Sequence, residues 1–384
     1  MSDTATTAPS GLKAAVLAAL ATVEDPELHR PITELGMVAA VEVDDRGDTT
    51  ITVLLTISGC PLRETIVSRV SEATARVRGV GQVHVVLEVM SEQQRVELRE
   101  RLGGPSKEHP FGKPGNRTLV YSIASGKGGV GKSSITVNLA AAIAKRGYRV
   151  GLVDADVYGH SVPRMLGITR QPTMVEGMLL PPEAHGVTAM STAMFKPNKN
   201  DVVAWRGPML HRALQQFLTD AYWGDLDVLL LDLPPGTGDI AISSAQLIPT
   251  AEIIVVTTPQ AGAAEVAERA GRIGLQLRQQ VAGVIENMSG FPCPHCGEVV
   301  ELFGSGGGAS VAASLSQAFG TEVPLLGQVP LDPLLREGSD EGVPLVVGHP
   351  QRPAAVALTA IAERLAKRAR GLVGVPLGLT PAAR

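Results

Sequence analysis

The chain has 384 residues, enough for two or three domains of roughly 100–200 residues each. Hydrophobic residues make up 44% and aromatics only 3%, which excludes global disorder and leaves Val, Leu, Ile and Ala to build the core. A net charge of −4 without a long basic run gives non-specific nucleic-acid binding no support, because such binding depends on Lys and Arg neutralising phosphates.

The first residues, MSDTATTAPSGLKAA, lack the basic and apolar regions of a secretory signal. No apolar run reaches the roughly 18 residues of a membrane span, so the expectation is a cytoplasmic protein without membrane partners. The cysteines are Cys60, Cys293 and Cys296. So sparse and odd a set argues for metal or redox chemistry rather than a disulfide framework.

In chain order, residues 11–22 read as a helix. The runs 37–43 and 49–57 read as strands joined by a DDRGD hairpin turn. A helix over 61–77 and a strand over 83–89 complete a small α/β domain, taken as 9–102. Residues 103–117, rich in Gly, Pro and charge, read as a linker. Beyond it, strands at 119–125, 149–155, 228–233, 252–258 and 281–288 alternate with helical stretches. That alternation predicts a mainly parallel sheet covered on both faces over 118–370. The last helix is expected over 352–370, with a loose tail at 371–384.

The strand at 119–125 runs into Gly126, Lys127, Gly128, Gly129, Val130, Gly131, Lys132, Ser133 and Ser134, and a helix follows. This is the G-x-x-x-x-G-K-[ST] phosphate loop in its strand–loop–helix setting. Its glycines let backbone N–H groups turn towards phosphate oxygens, aided by the helix N-terminus. Lys132 reaches the β- and γ-phosphates of ATP, and Ser133 ligates Mg²⁺. GKGGVG also fits a dinucleotide fingerprint, with Asp154 or Asp156 as the ribose acid. That reading leaves Lys132 and Ser133 without a role and ignores Asp232, which ends the apolar strand VLLLD where a carboxylate completes the Mg²⁺ site. A purely structural glycine turn explains less than either. Asp156 is the candidate for orienting the attacking water, and Asp154 for the metal or structural network. Residues 234–239, PPGTGD, read as a loop able to sense the γ-phosphate.

Cys293 and Cys296 form a C-x-x-C flanked by Pro292 and Gly297. A turn of this kind aims two sulfurs at one soft metal. Two thiolates complete neither a zinc site nor a four-cysteine cluster, but two chains on a symmetry axis supply four. The residues alone leave a cluster and an intersubunit zinc both open. A thioredoxin-like redox pair fits the surrounding prolines poorly.

The loop sequence K-G-G-x-G-K-S resembles the deviant Walker A motif of the MinD/ParA group. That resemblance implies that Lys127 reaches across a dimer to the partner's phosphates, and that Asp156 belongs to switch I. GKGGVGKSS, DADVYGHSVPRMLG, LLLDLPPGTGD, VIENMSGFPCPHCG and GQVPLDP together resemble the Mrp/NBP35/ApbC family of iron–sulfur carrier ATPases over about 117–370. DPELHRPITELGMV and TISGCPL resemble the MIP18-type (DUF59) domain often fused ahead of it. The resemblance implies a P-loop NTPase three-layer α/β sandwich preceded by a small α/β domain. It implies a homodimer with a bridging [4Fe–4S] cluster at Cys293 and Cys296, delivery to apoproteins, slow ATP hydrolysis with Lys127, Lys132 and Asp156 as the catalytic set, and Asn287 near adenine. Cys60 matches the single cysteine of the small domain, as a handover thiol or a buried free thiol. His160 and Ser58 stand where many relatives carry proline. The rival reading is a ParA/MinD-type organising ATPase that binds DNA or membrane, in which the cysteine pair has no role. An electron-transferring iron protein would space its cysteines widely.

Overall fold

The computed structural model describes residues 9–57, 59–103, 109–112, 115–156, 159, 161–195, 207–293 and 295–367. The tail at 371–384, the linker positions 104–108 and 113–114, His160 and Ser58 lie outside the described residues. By contact the chain divides into two units. One is Met1–Ser106 with Thr173–Leu180, the other Lys107–Pro172 with Pro181–Arg384.

In the first unit, helix α1 (Pro9–Leu20) precedes strands β1 (Val38–Val43) and β2 (Thr49–Leu55), helix α2 (Arg63–Ala75), strand β3 (Val83–Val89) and helix α3 (Glu92–Arg101). β1 and β2 are antiparallel, as the hairpin turn requires. β3 then pairs parallel to β2 after the α2 crossover. α3 starts where Ser91 and Gln94 form a reciprocal capping box.

The same unit takes in the hairpin of β6 (Thr173–Val175) and β7 (Met178–Leu180). Glu176 (φ 47°) and Gly177 (φ 80°) make its two-residue turn, the left-handed pair that matches strand twist. Glu176 accepts a hydrogen bond from Arg95 Nε at 3.0 Å.

The second unit is a layered α/β structure. Its strands are β4 (Leu119–Ser125), β5 (Val150–Asp154), β8 (Glu183–Ala184), β9 (Val187–Ser191), β10 (Val228–Asp232), β11 (Glu252–Thr257), β12 (Val281–Asn287) and β15 (Leu325–Val329). The order is β15-β12-β11-β4-β10-β5-β9-β8, parallel throughout except for β8. The central strands are buried along their whole length, which is why VLLL and VAGVI read as continuous apolar runs before the polar residues that end each strand.

Helices α4 (Lys132–Ala144), α5 (Val162–Met165), α10 (Pro333–Glu341), α11 (Leu345–Gly348) and α12 (Pro353–Ala366) form one packed group. Helices α6 (Gly207–Thr219), α7 (Asp239–Leu247), α8 (Ala261–Leu277) and α9 (Gly307–Phe319) form the other, so the sheet is the middle layer. A buried hydrophobic cluster joins Ile135, Leu139, Ile143, Leu152, Leu230, Leu358 and Ile361. A last hairpin, β13 (Phe291–Pro292) with β14 (Val299–Val300), projects after β12.

Five strands of this sheet are legible in the sequence. β9 and β15 are five-residue strands carrying Thr, Ser, Gly or Gln among their apolar residues.

Candidate functional site

Strands β4, β10 and β5 lie side by side, and the phosphate loop leaves from the end of β4. The crevice beyond the carboxyl ends of parallel strands is where open α/β sheets bind ligands. Here it is a cavity of about 200 Å³ lined by residues 127–134 with Ser125, Asp156 and Pro235. Gly126 must be glycine, because a Cβ there would lie 2.2 Å from the Val266 carbonyl carbon of α8. Gly131 takes φ 80° and starts α4, and its missing side chain leaves room for Asn287 Nδ2.

Lys132 and Asp232 are both buried and form an ion pair, with Nζ 2.7 Å from Oδ1. Ser133 Oγ donates to Asp232 Oδ2 at 2.6 Å. Thr136 Oγ1 donates to Asp232 Oδ1 at 2.9 Å. Thr136 lies one helical turn after Lys132 and so on the same face, a spacing that flags it in the sequence. Ser133 and Asp232 offer hard oxygen donors side by side, a set that fits Mg²⁺.

Asp154 lies opposite Asp232 in the parallel register and is fully buried. Its carboxyl pKa is pushed up to about 8, first by burial and then by the neighbouring Asp232 charge. Ser191 Oγ donates to its Oδ2 at 3.0 Å, and the Asp156 backbone N–H to its Oδ1 at 3.2 Å. Asp154 therefore holds the start of the segment that carries Asp156. Asp156 lines the cavity and accepts from the Gly159 N–H at 2.9 Å. On the opposite rim, Gly236 of the 234–239 loop donates its N–H to Ser125 O at 2.8 Å.

Lys127 is exposed, and its Nζ donates to Gln260 Oε1 at 3.2 Å. Asn287, at the end of β12, is buried. Its Nδ2 donates to Val130 O at 2.8 Å, while its buried Oδ1 has no hydrogen-bond partner.

Cys293 and Cys296 sit at the turn of the β13–β14 hairpin, six and nine residues beyond Asn287. The Cys293 N–H donates to Glu298 O and the Gly297 N–H returns to Cys293 O, each at 2.8 Å. Cys293 is half-buried and Cys296 exposed. The Cys293 thiol is pulled below its ordinary pKa by backbone N–H groups of Cys296 and His295 that point at its sulfur. Among the described residues no group of three or more His, Cys, Asp or Glu side chains is placed to hold a metal. The pair thus stands without a third ligand there.

Cys60 belongs to the other unit. It is buried and lines a cavity of about 10 Å³ with Asp25, Met37, Thr56 and Leu180. Burial raises the Asp25 carboxyl above its usual range. Among the described residues no helix is long and apolar enough to cross a membrane.

Residues 116–366 match the family described as NUBPL iron-transfer P-loop NTPase. Residues 13–85 match the family described as iron-sulfur cluster assembly protein. The chain is 58% identical over 375 residues to a Mycobacterium tuberculosis protein named iron-sulfur cluster carrier protein, covering 97% of this chain and 98% of that one. It is 43% identical over 355 residues to a Deinococcus radiodurans protein of the same name, covering 92% and 94%. A nucleotide-binding protein from Archaeoglobus fulgidus, solved in complex with ADP, is 31% identical over 66% of this chain and 91% of that chain, with a TM-score of 0.49. On the family match over 116–366 and the two sequence relatives, the chain belongs to the NUBPL iron-transfer P-loop NTPase family.

Proposed function

We propose that this protein is an ATP-dependent iron–sulfur cluster carrier that works as a homodimer and passes its cluster to apoproteins. The observation that carries the reading is the pair Cys293 and Cys296 at a hairpin turn, without a third ligand beside them among the described residues. Two such turns meeting on a two-fold axis supply the four thiolates of a [4Fe–4S] cluster. The names of the mycobacterial and Deinococcus relatives support the same cargo.

ATP is the nucleotide in this reading. Its phosphates lie along residues 126–134, with Lys132 on the β- and γ-phosphates and Asn287 Oδ1 free to accept from the adenine amino group. Ser133 and Asp232 would hold Mg²⁺, which would neutralise charge on the phosphates. Asp156 orients a water against the γ-phosphorus. The new P–O bond forms as the bond to the β-bridging oxygen breaks, leaving ADP and phosphate. Lys127, exposed at the rim, reaches the partner's phosphates and ties slow hydrolysis to dimerisation. The proposal includes a small domain over 9–102, a linker over 103–117, an ATPase domain over 118–370 and a cytoplasmic setting.

The test is anaerobic reconstitution of the wild type and of Cys293→Ala and Cys296→Ala, with iron, sulfide and zinc analysis. The reading expects iron and sulfide in the wild type and their loss in both variants. Zinc without sulfide rejects the cluster, and a cluster that survives Cys293→Ala rejects the site.

A further inference from the structure

Glu286 is a fully buried carboxylate with no part in the nucleotide chemistry above. It stands beside Asn287 at the end of β12, an acid closing an apolar strand just as Asp232 does. Among the described residues no lysine or other cation is a hydrogen-bond partner of it. Ser289 Oγ donates to Oε1 at 2.8 Å and Gln328 Nε2, from the paired strand β15, donates to Oε1 at 2.7 Å. The Gly308 backbone N–H donates to Oε2 at 2.6 Å.

These partners sit at both roots of one loop. Ser289 begins the excursion that carries Cys293 and Cys296, and Gly308 ends it in the first turn of α9. The sequence GSGGGA at the far root allows the approach. A Cβ on Gly308 would lie 2.7 Å from Glu286 Cβ, and one on Gly307 would lie 2.5 Å from Pro259 O. A helix N-terminus aimed at a buried carboxylate is a favourable arrangement that needs no counter-ion. Backbone bonds anchor the first root to the end of β15: Ser289 N–H donates to Val329 O and Leu331 N–H to Gly290 O.

We propose that Glu286 is the positioning residue of the cysteine pair: by holding both ends of the 289–308 loop it fixes the direction in which Cys293 and Cys296 present their sulfurs. The inference rests on the carrier reading for what those sulfurs bind, but the clamp itself is a property of the metal-free chain. Its neighbour Asn287 holds Val130 of the phosphate loop, so consecutive residues of one strand root the cysteine loop and touch the nucleotide loop. Glu286 itself bonds only to Ser289, Gln328 and Gly308 among the described residues, so loss of its carboxylate is expected to loosen the cysteines, while the separate Asn287 bond to Val130 O keeps nucleotide binding intact.

The experiment compares full-length wild type with Glu286→Ala and Glu286→Gln. In metal-free protein, amide hydrogen exchange over 289–307 is expected to rise about tenfold in Glu286→Ala. After anaerobic reconstitution, loss of iron to a chelator is expected to be faster by about the same factor, with ATP affinity within about twofold of wild type. Glu286→Gln keeps an acceptor for the Gly308 N–H and is expected to rescue most of both effects, which a merely volume-filling role does not predict. Unchanged exchange in a folded Glu286→Ala overturns the proposal. A wild type that takes up no cluster rejects the carrier reading instead, and exchange alone then decides the clamp. If Glu286→Ala does not fold, Ser289→Ala and Gln328→Ala each remove one donor and are expected to raise exchange about twofold to threefold; no change in either overturns the proposal.

Discussion

Lys132 Nζ lies 2.7 Å from Asp232 Oδ1, and the two charges are buried together at the head of the phosphate loop. A γ-phosphate that takes Lys132 must compete with that carboxylate, while a cation at Ser133 and Asp232 replaces the positive charge that Asp232 gives up. Under the proposed function, phosphate and cation binding are coupled through this one pair. Removing one partner leaves the other charge buried alone. Lys132→Met is expected to abolish ATP binding and to cost about 3 kcal/mol of stability. That corresponds to a Tm drop of about 6–12 °C for a domain of this size. Equilibrium nucleotide binding and thermal denaturation check both.

Thr136 holds Asp232 from the second turn of α4. Thr136→Val keeps the shape and removes the donor. The Mg²⁺ concentration needed for half-maximal ATP binding is expected to rise about threefold to tenfold, and metal-free ATP binding to stay unchanged. A titration of Mg²⁺ at fixed ATP reads the difference.

Asp154 gives a pH dependence whose sign follows from its environment. Its folded pKa is raised to about 8 from an ordinary value of 3.8, so the folded chain binds the proton more tightly than the unfolded one. The stability tied to that proton is fully present below the ordinary carboxylate range and is lost as pH rises through about 8. Asp154→Asn is isosteric and uncharged at every pH. Its Tm is expected to fall less than that of the wild type between pH 6 and about 9, in matched denaturation curves.

Lys127 and Asn287 separate two further roles. Lys127→Ala is expected to lower ATP turnover by about tenfold or more while changing affinity only about twofold, because in the proposed dimer its phosphate contact is to the partner's nucleotide. Asn287→Ala removes the buried acceptor Oδ1 and is expected to reduce the preference for ATP over GTP by about tenfold, as read by competition binding.

The parts of this site legible in the sequence are those whose chemistry is local. Residues 126–134 are contiguous, Asp232 ends an unbroken apolar strand, and Cys293 and Cys296 lie within one turn. The α/β alternation fixed the class of the sheet for the same reason. The parts that escaped depend on distant partners. Ser191 matters because β9 pairs with β5 and brings its hydroxyl to Asp154, and nothing within VTAMS signals that. Gln260 meets Lys127 across 133 residues of sequence. Glu286 carried the same strand-end signature as Asp232, but its partners Gln328 and Gly308 come from elements whose pairing no short window reveals. The hairpin at Thr173–Leu180 was missed because its strands are three residues long, too short for alternation to show.

The most direct measurement is native mass spectrometry of the anaerobically reconstituted protein, run beside Cys293→Ala. The account predicts a dimer of wild-type chains carrying about four irons and four sulfides, and a variant that carries none. A single chain that retains the full inorganic load, or a mutant that keeps it, contradicts the account.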